Sequence, residues 1–413
     1  MKRFLIIGAI LGLIGTVTNK IFISPLPSLI AAALFPFILL ANRKFPITVF
    51  WLLVFFVYSL VSTFLYYPQS FLEFGFYRYD GNFIVSYLPL LVLPFFRLNV
   101  NIDKIFRNFL LITTGISCIV FLINGYNYDK VFTGLFIATN AAGGFYSIVT
   151  SLAIIYFLEK KTYNNLYLVL FNAFFLYSST SRGSILGLLL GLLCLYFVKR
   201  NKTYYITFSL IVLSAIQIYI LIGSFPEYKK YIMNSPNADM FYNLDMYVVK
   251  KYGYVSTKFK NVLIRMYETW PRAIDCFFKS PIFGTGFGSI NDVPFKFKQV
   301  LPIVLTTNSQ ENKLFSDSHA HHSFLHFLGE LGVLGLTIFL LFWRSVYKFL
   351  LNNNYNNKVQ SFLLVSFFNL TIMSFTEHRI TTPSNALPFV IALSLYYVFV
   401  NYQKSLEVKN INS

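Results

Sequence analysis

Residues Ser318–Leu351 read SHAHHSFLHFLGELGVLGLTIFLLFWRSVYKFLL. Four histidines stand at the beginning of this stretch, namely His319, His321, His322 and His326. The remainder is an apolar run in which Glu330 is the only charged residue before Arg344. An apolar run of this length crosses the hydrocarbon core of a bilayer as a helix. The stretch therefore predicts a membrane helix with polar side chains gathered at its N-terminal end.

The composition extends this prediction to the whole chain. The 413 residues are 56% hydrophobic and only 12% charged, whereas a soluble domain has about 25% charged residues. The apolar runs are long and continuous, and short alternating segments typical of a membrane barrel are not seen. We therefore predict an all-α polytopic membrane protein of about twelve spans, near 4–17, 21–41, 47–66, 83–98, 106–124, 143–158, 165–179, 183–198, 204–223, 322–350, 360–376 and 384–402.

The basic residues predict the orientation. Lys and Arg in short loops collect on the cytoplasmic side of a membrane. With a cytoplasmic N-terminus, the short loops on the other side contain only Lys20, Arg78, Lys130, Arg182 and Arg379. The chain then divides into membrane helices (1–223), one long periplasmic segment (224–318), and further membrane helices with a short cytoplasmic tail (319–413). Both termini are expected in the cytoplasm.

Charge and cysteine content exclude other classes. The net charge is +18, but the basic residues are spread over many loops and no nucleic-acid-binding module is recognisable. We therefore expect no nucleic-acid partner. The cysteines, Cys118, Cys194 and Cys276, show neither metal-ligand spacing nor a disulfide framework.

Three motifs resemble those of the bacterial O-antigen ligase family, in the same order. They are TSRGS with Arg182, the segment from Arg265 through PIFGTG at 281–286, and a signature in which His321 is followed by Gly332 and Gly335. His322 departs from the pattern, because the family has an amide or hydroxyl side chain there. The resemblance implies a fold similar to the C-type glycosyltransferases. It also implies a polyprenyl diphosphate donor and no cofactor or metal.

The resemblance also implies a reaction, the transfer of a polysaccharide en bloc from undecaprenyl diphosphate to lipid A-core at the periplasmic face of the inner membrane. In that scheme Arg182 and Arg265 hold the diphosphate, because a guanidinium matches phosphate oxygens in pairs. His321 positions or deprotonates the acceptor hydroxyl. The expected partners also include the membrane lipids around the protein. Because a charged residue inside a membrane is costly, we treat each such residue as a candidate functional residue.

Further polar residues are expected around the same site. NAAG at 140–143 resembles a family element, and we predict that Asn140, His322, Glu330 and Arg379 contribute to substrate binding. A zinc site remains the alternative, since His322 and His326 are four residues apart on one helix face. Roles for His319, His326 and His378 are not assigned.

Three alternatives to a ligase remain open. An O-antigen or capsule polymerase uses the same donor and signature, although the single long external segment favours the ligase. A protein O-oligosaccharyltransferase would differ only in its acceptor. A polysaccharide exporter is disfavoured, because charged residues within several spans and interrupted helices are expected for a transporter.

Overall fold

A computed structural model describes residues 2–18, 32–38, 45–72, 80–127, 130–136, 138–233, 240–255, 257–292 and 320–411. Most of the predicted 21–41 span, the 293–319 part of the external segment and His319 lie outside these residues. The described residues contain no named strand, and a short helical stretch covers 32–38. The other α-helices are α1 Lys2–Gly15, α2 Ile47–Tyr66, α3 Asp80–Val92, α4 Ile102–Asn124, α5 Thr139–Glu159, α6 Tyr163–Ser178, α7 Arg182–Lys199, α8 Thr203–Glu227, α9 Met240–Tyr252, α10 Thr257–Ile264, α11 Trp270–Lys279, α12 Ser323–Asn352, α13 Asn357–Met373 and α14 Pro383–Ile411.

The all-helical membrane fold is confirmed. Within the described residues, seven helices are long and apolar enough to cross a membrane, namely α2, α4, α5, α7, the Thr203–Tyr231 helix, α12 and the Pro383–Val408 part of α14. Helices α6 and α13 match predicted spans but have only 16 and 17 residues. Two shorter apolar helices cover Ile6–Gly15 and Asp80–Phe95. The count of twelve therefore stays a prediction.

Helices α5 and α14 form the centre of the bundle. They pack against each other, and each also contacts α13. In their apolar windows 83% and 89% of the residues are buried by protein, whereas only 17% are buried in the Thr203–Tyr231 helix. Apolar side chains that protein does not cover must face lipid, so α8 lies at the periphery of the bundle.

The described part of the long external segment is helical. A π-helix, Tyr228–Met233, extends α8, and a second π-helix, Arg265–Thr269, leads into α11. The helical spacing of Trp270, Ala273, Ile274, Phe277 and Phe278 predicts that α11 buries an apolar face. Instead it packs on α12 and buries Arg272 and Asp275 together with Trp270, while Phe278 is 60% exposed. The buried charges form ion pairs, Arg272 with Glu268 and Asp275 with Lys229, which is why they tolerate burial.

Helix α12 has a break that its sequence encodes. Gly332 has φ 66° and ψ −171°, which is not helical. Glycine is the residue that adopts such angles without steric strain. The amides of Val333 and Leu334, next to the break, donate to the carbonyl oxygens of Pro281 and Ile282 at 2.9 and 3.1 Å. Hydrogen bonds at the break therefore connect α12 to the turn that follows α11.

Candidate functional site

His322 starts α12 and is held through both ring nitrogens. Its Nδ1 accepts a hydrogen bond from the Leu325 amide at 3.1 Å, which makes it the N-cap of the helix. Because Nδ1 accepts, the proton belongs on Nε2, which lies 3.0 Å from Gln217 Oε1. The ring is buried, with 3% of its surface exposed. His322 is therefore a neutral, fixed side chain that connects α12 to α8.

His321, the residue before it, is in a strained conformation. Its φ is 47°, a left-handed value that non-glycine residues seldom adopt and that recurs at functional sites. Its ring is partly buried, and the ring centroid lies 5.1 Å from that of His378. The α12 start is tied on both sides, since Thr269 Oγ1 donates to the Ala320 carbonyl at 3.1 Å and the Ser323 amide donates to the Ser374 carbonyl at 2.9 Å.

Glu377 joins two arginines that are far apart in the sequence. Its Oε1 lies 3.2 Å from an Nη of Arg265, and its Oε2 lies 3.5 Å from an Nη of Arg379. Burial alone would raise the pKa of Glu377. The positive charges around it, those of Arg379 and Arg265 foremost, outweigh that effect and hold the pKa below its ordinary value. The carboxylate is therefore ionised, and the cluster keeps a net positive charge.

His378 lies next to the same cluster and is expected to be neutral. Desolvation lowers its pKa well below the ordinary value, and the positive charges of Arg379 and Arg265 lower it further. An imidazole in this state accepts or donates a hydrogen bond without adding charge. The site thus combines one ionised carboxylate, several guanidinium groups and neutral imidazole.

Arg379 is enclosed by three helix ends. Its Nη1 donates to the Asn140 carbonyl at 2.8 Å and to Asn385 Oδ1 at 3.0 Å, and its Nη2 donates to Ser184 Oγ at 2.9 Å. Only 3% of the residue is exposed. Gly144 makes room for this arrangement, because a Cβ there would lie 1.4 Å from Asn385 Oδ1. The NAAG element therefore forms a wall around Arg379.

Arg182 lies beside this cluster but outside its hydrogen bonds. It is the first residue of α7 and is exposed. A Cβ on the next residue, Gly183, would lie 3.7 Å from Glu377 Oε1 and 3.9 Å from an Nη of Arg379. Among the described residues, the guanidinium of Arg182 makes no hydrogen bond or ion pair. Its guanidinium is thus at the same end of the bundle and open to a ligand.

Glu330 and His326 belong to a second, buried cluster. His326 Nε2 lies 2.7 Å from Asp80 Oδ1 and 3.3 Å from Glu330 Oε2. Glu330 Oε1 accepts from the Ile290 amide at 3.1 Å, and its carbonyl accepts from the amides of Thr285 and Gly286 at 2.9 and 2.8 Å. Glu330 therefore holds the glycine turn in place.

These contacts change the set of residues that could form the alternative metal site. Asp80, His326 and Glu330 are close enough to offer three ligands to a cation. His322 is not part of that group, because both of its ring nitrogens are already engaged. The proposed His322–His326 pair is thus wrong as a ligand set.

The structure brings together Arg265, Glu377 and Arg379, with His321 beside Glu377 and Arg182 adjacent. It places His322, Asn140 and Glu330 in supporting hydrogen bonds. Sequence reasoning missed Asp80 and Gln217. Gln217 is a lone polar side chain inside an apolar run, and the cost of burying it there is a signal that could have identified it. Asp80 follows Arg78 and precedes Asn82 in a polar stretch, which gives no such signal.

The comparisons with known proteins agree with these motifs. A family model described as O-antigen ligase matches residues 166–340, a range that includes Arg182, Arg265 and His321. No curated protein matches the chain. The match supports an enzyme of the O-antigen ligase and polymerase type, a class that implies lipid-linked polysaccharide substrates. The chain is therefore a multi-pass membrane protein whose residues 166–340 match the family model described as O-antigen ligase.

Proposed function

We propose that this protein transfers a polysaccharide en bloc from undecaprenyl diphosphate to a sugar hydroxyl of lipid A-core, at the periplasmic face of the inner membrane. The observation that supports this most is the bridge from Arg265 through Glu377 to Arg379, with His321 beside it. Three segments distant in sequence thereby meet at one end of the bundle. The distribution of Lys and Arg favours the periplasm for that end.

The two accessible arginines are the ones that suit the diphosphate. Arg182 is exposed, and the side chain of Arg265 is 21% exposed. Arg379 is instead surrounded by Asn140, Asn385 and Ser184. We therefore assign phosphate binding to Arg182 and Arg265. Arg379 becomes a positioning residue that orients Glu377, which in turn orients Arg265.

The chemistry needs one proton acceptor and a stabilised leaving group. In the proposed reaction His321 accepts the proton of the acceptor hydroxyl, and the hydroxyl oxygen attacks the anomeric carbon of the donor. The bond from that carbon to the diphosphate oxygen breaks, and its electron pair stays with undecaprenyl diphosphate. Arg182 and Arg265 stabilise the negative charge that develops there. The polysaccharide keeps its internal linkages.

A deletion strain complemented with variants tests the proposal. We expect wild type to restore long-chain polysaccharide on lipid A-core, and His321→Ala, Arg182→Ala and Arg265→Ala to leave lipid-linked polymer unused. Arg200→Ala is the matched control, because Arg200 caps the opposite end of α7. Each variant is quantified in the membrane fraction. A deletion strain whose lipid A-core carries single repeats would identify a polymerase instead, and full activity of His321→Ala would remove the proposed base.

A further inference from the structure

A polar cavity of about 490 Å³ lies at the end of the bundle opposite the candidate site. Its walls include Arg344 and Lys348 of α12 and Lys404 of α14. Arg344 follows His322 by more than twenty residues of the same helix, which corresponds to roughly 30 Å along the axis. With the predicted topology, the cavity opens to the cytoplasmic leaflet. It does not belong to the site described above.

Among the residues that the structure describes, no acidic side chain pairs with the positive charges of this cavity. Arg344 and Lys348 are four residues apart and so share one face of α12. Neither they nor Lys404 forms an ion pair with an acid in the part of the chain that the structure describes. The acids at this end are engaged elsewhere, in that Asp103 and Glu159 lie 3.2 and 3.1 Å from Lys358 Nζ and Glu407 accepts from Tyr355 at 2.8 Å.

One wall carries a buried acceptor with no partner. Asn353 is 4% exposed, and its Nδ2 donates to the Phe349 carbonyl at 2.7 Å. Its Oδ1 has no hydrogen-bond partner among the described residues. A buried acceptor of this kind costs free energy unless a donor satisfies it. A hydroxyl group bound in the cavity would supply that donor.

The outer wall is apolar. Ile47, at the start of α2, is 60% exposed, and Trp51 lies one turn further along. Tryptophan is enriched where headgroups meet acyl chains. Cations, a hydroxyl acceptor and an apolar wall together match an amphiphile with a phosphate and a hydroxyl-bearing headgroup.

We propose that this cavity binds an anionic phospholipid of the cytoplasmic leaflet, with its phosphate held by Arg344, Lys348 and Lys404 and a headgroup hydroxyl donating to Asn353 Oδ1. Basic pockets between membrane helices on the cytoplasmic side are suited to such headgroups. The proposal does not depend on the transferase reaction, since it uses none of the residues assigned to it.

The test is native mass spectrometry of the purified full chain, delipidated and then incubated with phosphatidylglycerol or phosphatidylcholine. We expect specific phosphatidylglycerol adducts on wild type. The triple variant Arg344→Gln, Lys348→Gln, Lys404→Gln should lose about a hundredfold in affinity, since each basic residue contributes roughly a factor of five. The triple variant Lys199→Gln, Arg200→Gln, Lys202→Gln removes the same charge at the same end of the bundle and should bind like wild type.

Two further binding experiments distinguish a phospholipid from other ligands. Asn353→Leu should weaken phosphatidylglycerol more than phosphatidic acid, which lacks the headgroup hydroxyl, and this arm does not depend on the fold of the triple variant. Inorganic phosphate in excess should leave the lipid bound. Equal binding by the two triple variants would overturn the site. Displacement by inorganic phosphate would contradict a lipid ligand and would indicate that the cavity binds a soluble phosphate compound.

Discussion

Arg182 and Arg379 are both arginines of the candidate site, but their surroundings are opposite. Arg379 is buried and donates to Asn140, Asn385 and Ser184, whereas Arg182 is exposed and makes no such bond among the described residues. Removing one partner from a buried charged network leaves the others unsatisfied. The two side chains should therefore differ in what they contribute, one to stability and the other to the reaction.

We predict that Arg379→Gln lowers the free energy of unfolding by roughly 3 kcal/mol, while Arg182→Gln changes it by less than about 0.5 kcal/mol. Both variants should lose transfer activity. Thermal unfolding in detergent, run beside a surface-polysaccharide assay, measures the two effects. An Arg182→Gln protein as destabilised as Arg379→Gln would contradict the division of roles.

Glu377 predicts a pH dependence of stability. Its pKa is lower in the folded protein than its ordinary value of 4.5, so its stabilising effect is complete above that pH and is lost as the pH falls through the folded pKa. Glu377→Gln should unfold more easily than wild type by roughly 2 kcal/mol at pH 7. The difference should shrink as the pH is lowered below 4.5. A difference that grows on acidification would show that the arginines do not stabilise the carboxylate.

At the scale of elements, the signature glycine Gly332 joins α12 to the turn after α11. A Cβ at Gly332 would lie 2.5 Å from the Ile282 carbonyl oxygen, and a Cβ at Gly284 would lie 2.3 Å from the Glu330 carbonyl oxygen. The two backbones therefore touch at positions where only glycine fits. This backbone contact fixes the position of the turn, and Glu330 adds hydrogen bonds to the same turn.

Gly332→Ala is expected to cost at least about 2 kcal/mol of stability, because alanine is strained at this φ and its Cβ collides with backbone. Gly223→Ala is the control, since a Cβ there meets nothing within 4 Å and alanine favours the helix. Folding is followed by expression in the membrane and thermal unfolding. A Gly332→Ala protein as stable as Gly223→Ala would exclude the proposed contact.

The helices could be predicted from the sequence to within a few residues at most ends, because continuous apolar runs have few other stable conformations in a bilayer. The arginine and histidine motifs could be predicted as well. The contacts between them could not, since Arg265 and Glu377 are 112 residues apart and Asp80 and His326 are 246 apart. The buried face of α11 could not be predicted from the spacing of its apolar residues, because charged side chains that form ion pairs are buried there too.

At the scale of the whole molecule, the topology is a prediction that follows from charge. We expect Tyr254→Cys, at a position 97% exposed in the long segment, to react with an impermeant maleimide in intact spheroplasts. Lys202→Cys should react only after the membrane is opened. Both are made in a variant whose native cysteines are replaced. Labelling of Lys202→Cys in intact spheroplasts would place the candidate site on the cytoplasmic side.

In the proposed mechanism, Arg182 and Arg265 hold a lipid-borne diphosphate at one end of the bundle. Binding of undecaprenyl diphosphate to the purified protein tests it most directly. We predict that Arg182→Gln and Arg265→Gln each raise the Kd for undecaprenyl diphosphate by at least about tenfold, because each loses a charged hydrogen bond, while Arg200→Gln binds like wild type. Unchanged affinity in either of the first two variants would contradict this mechanism.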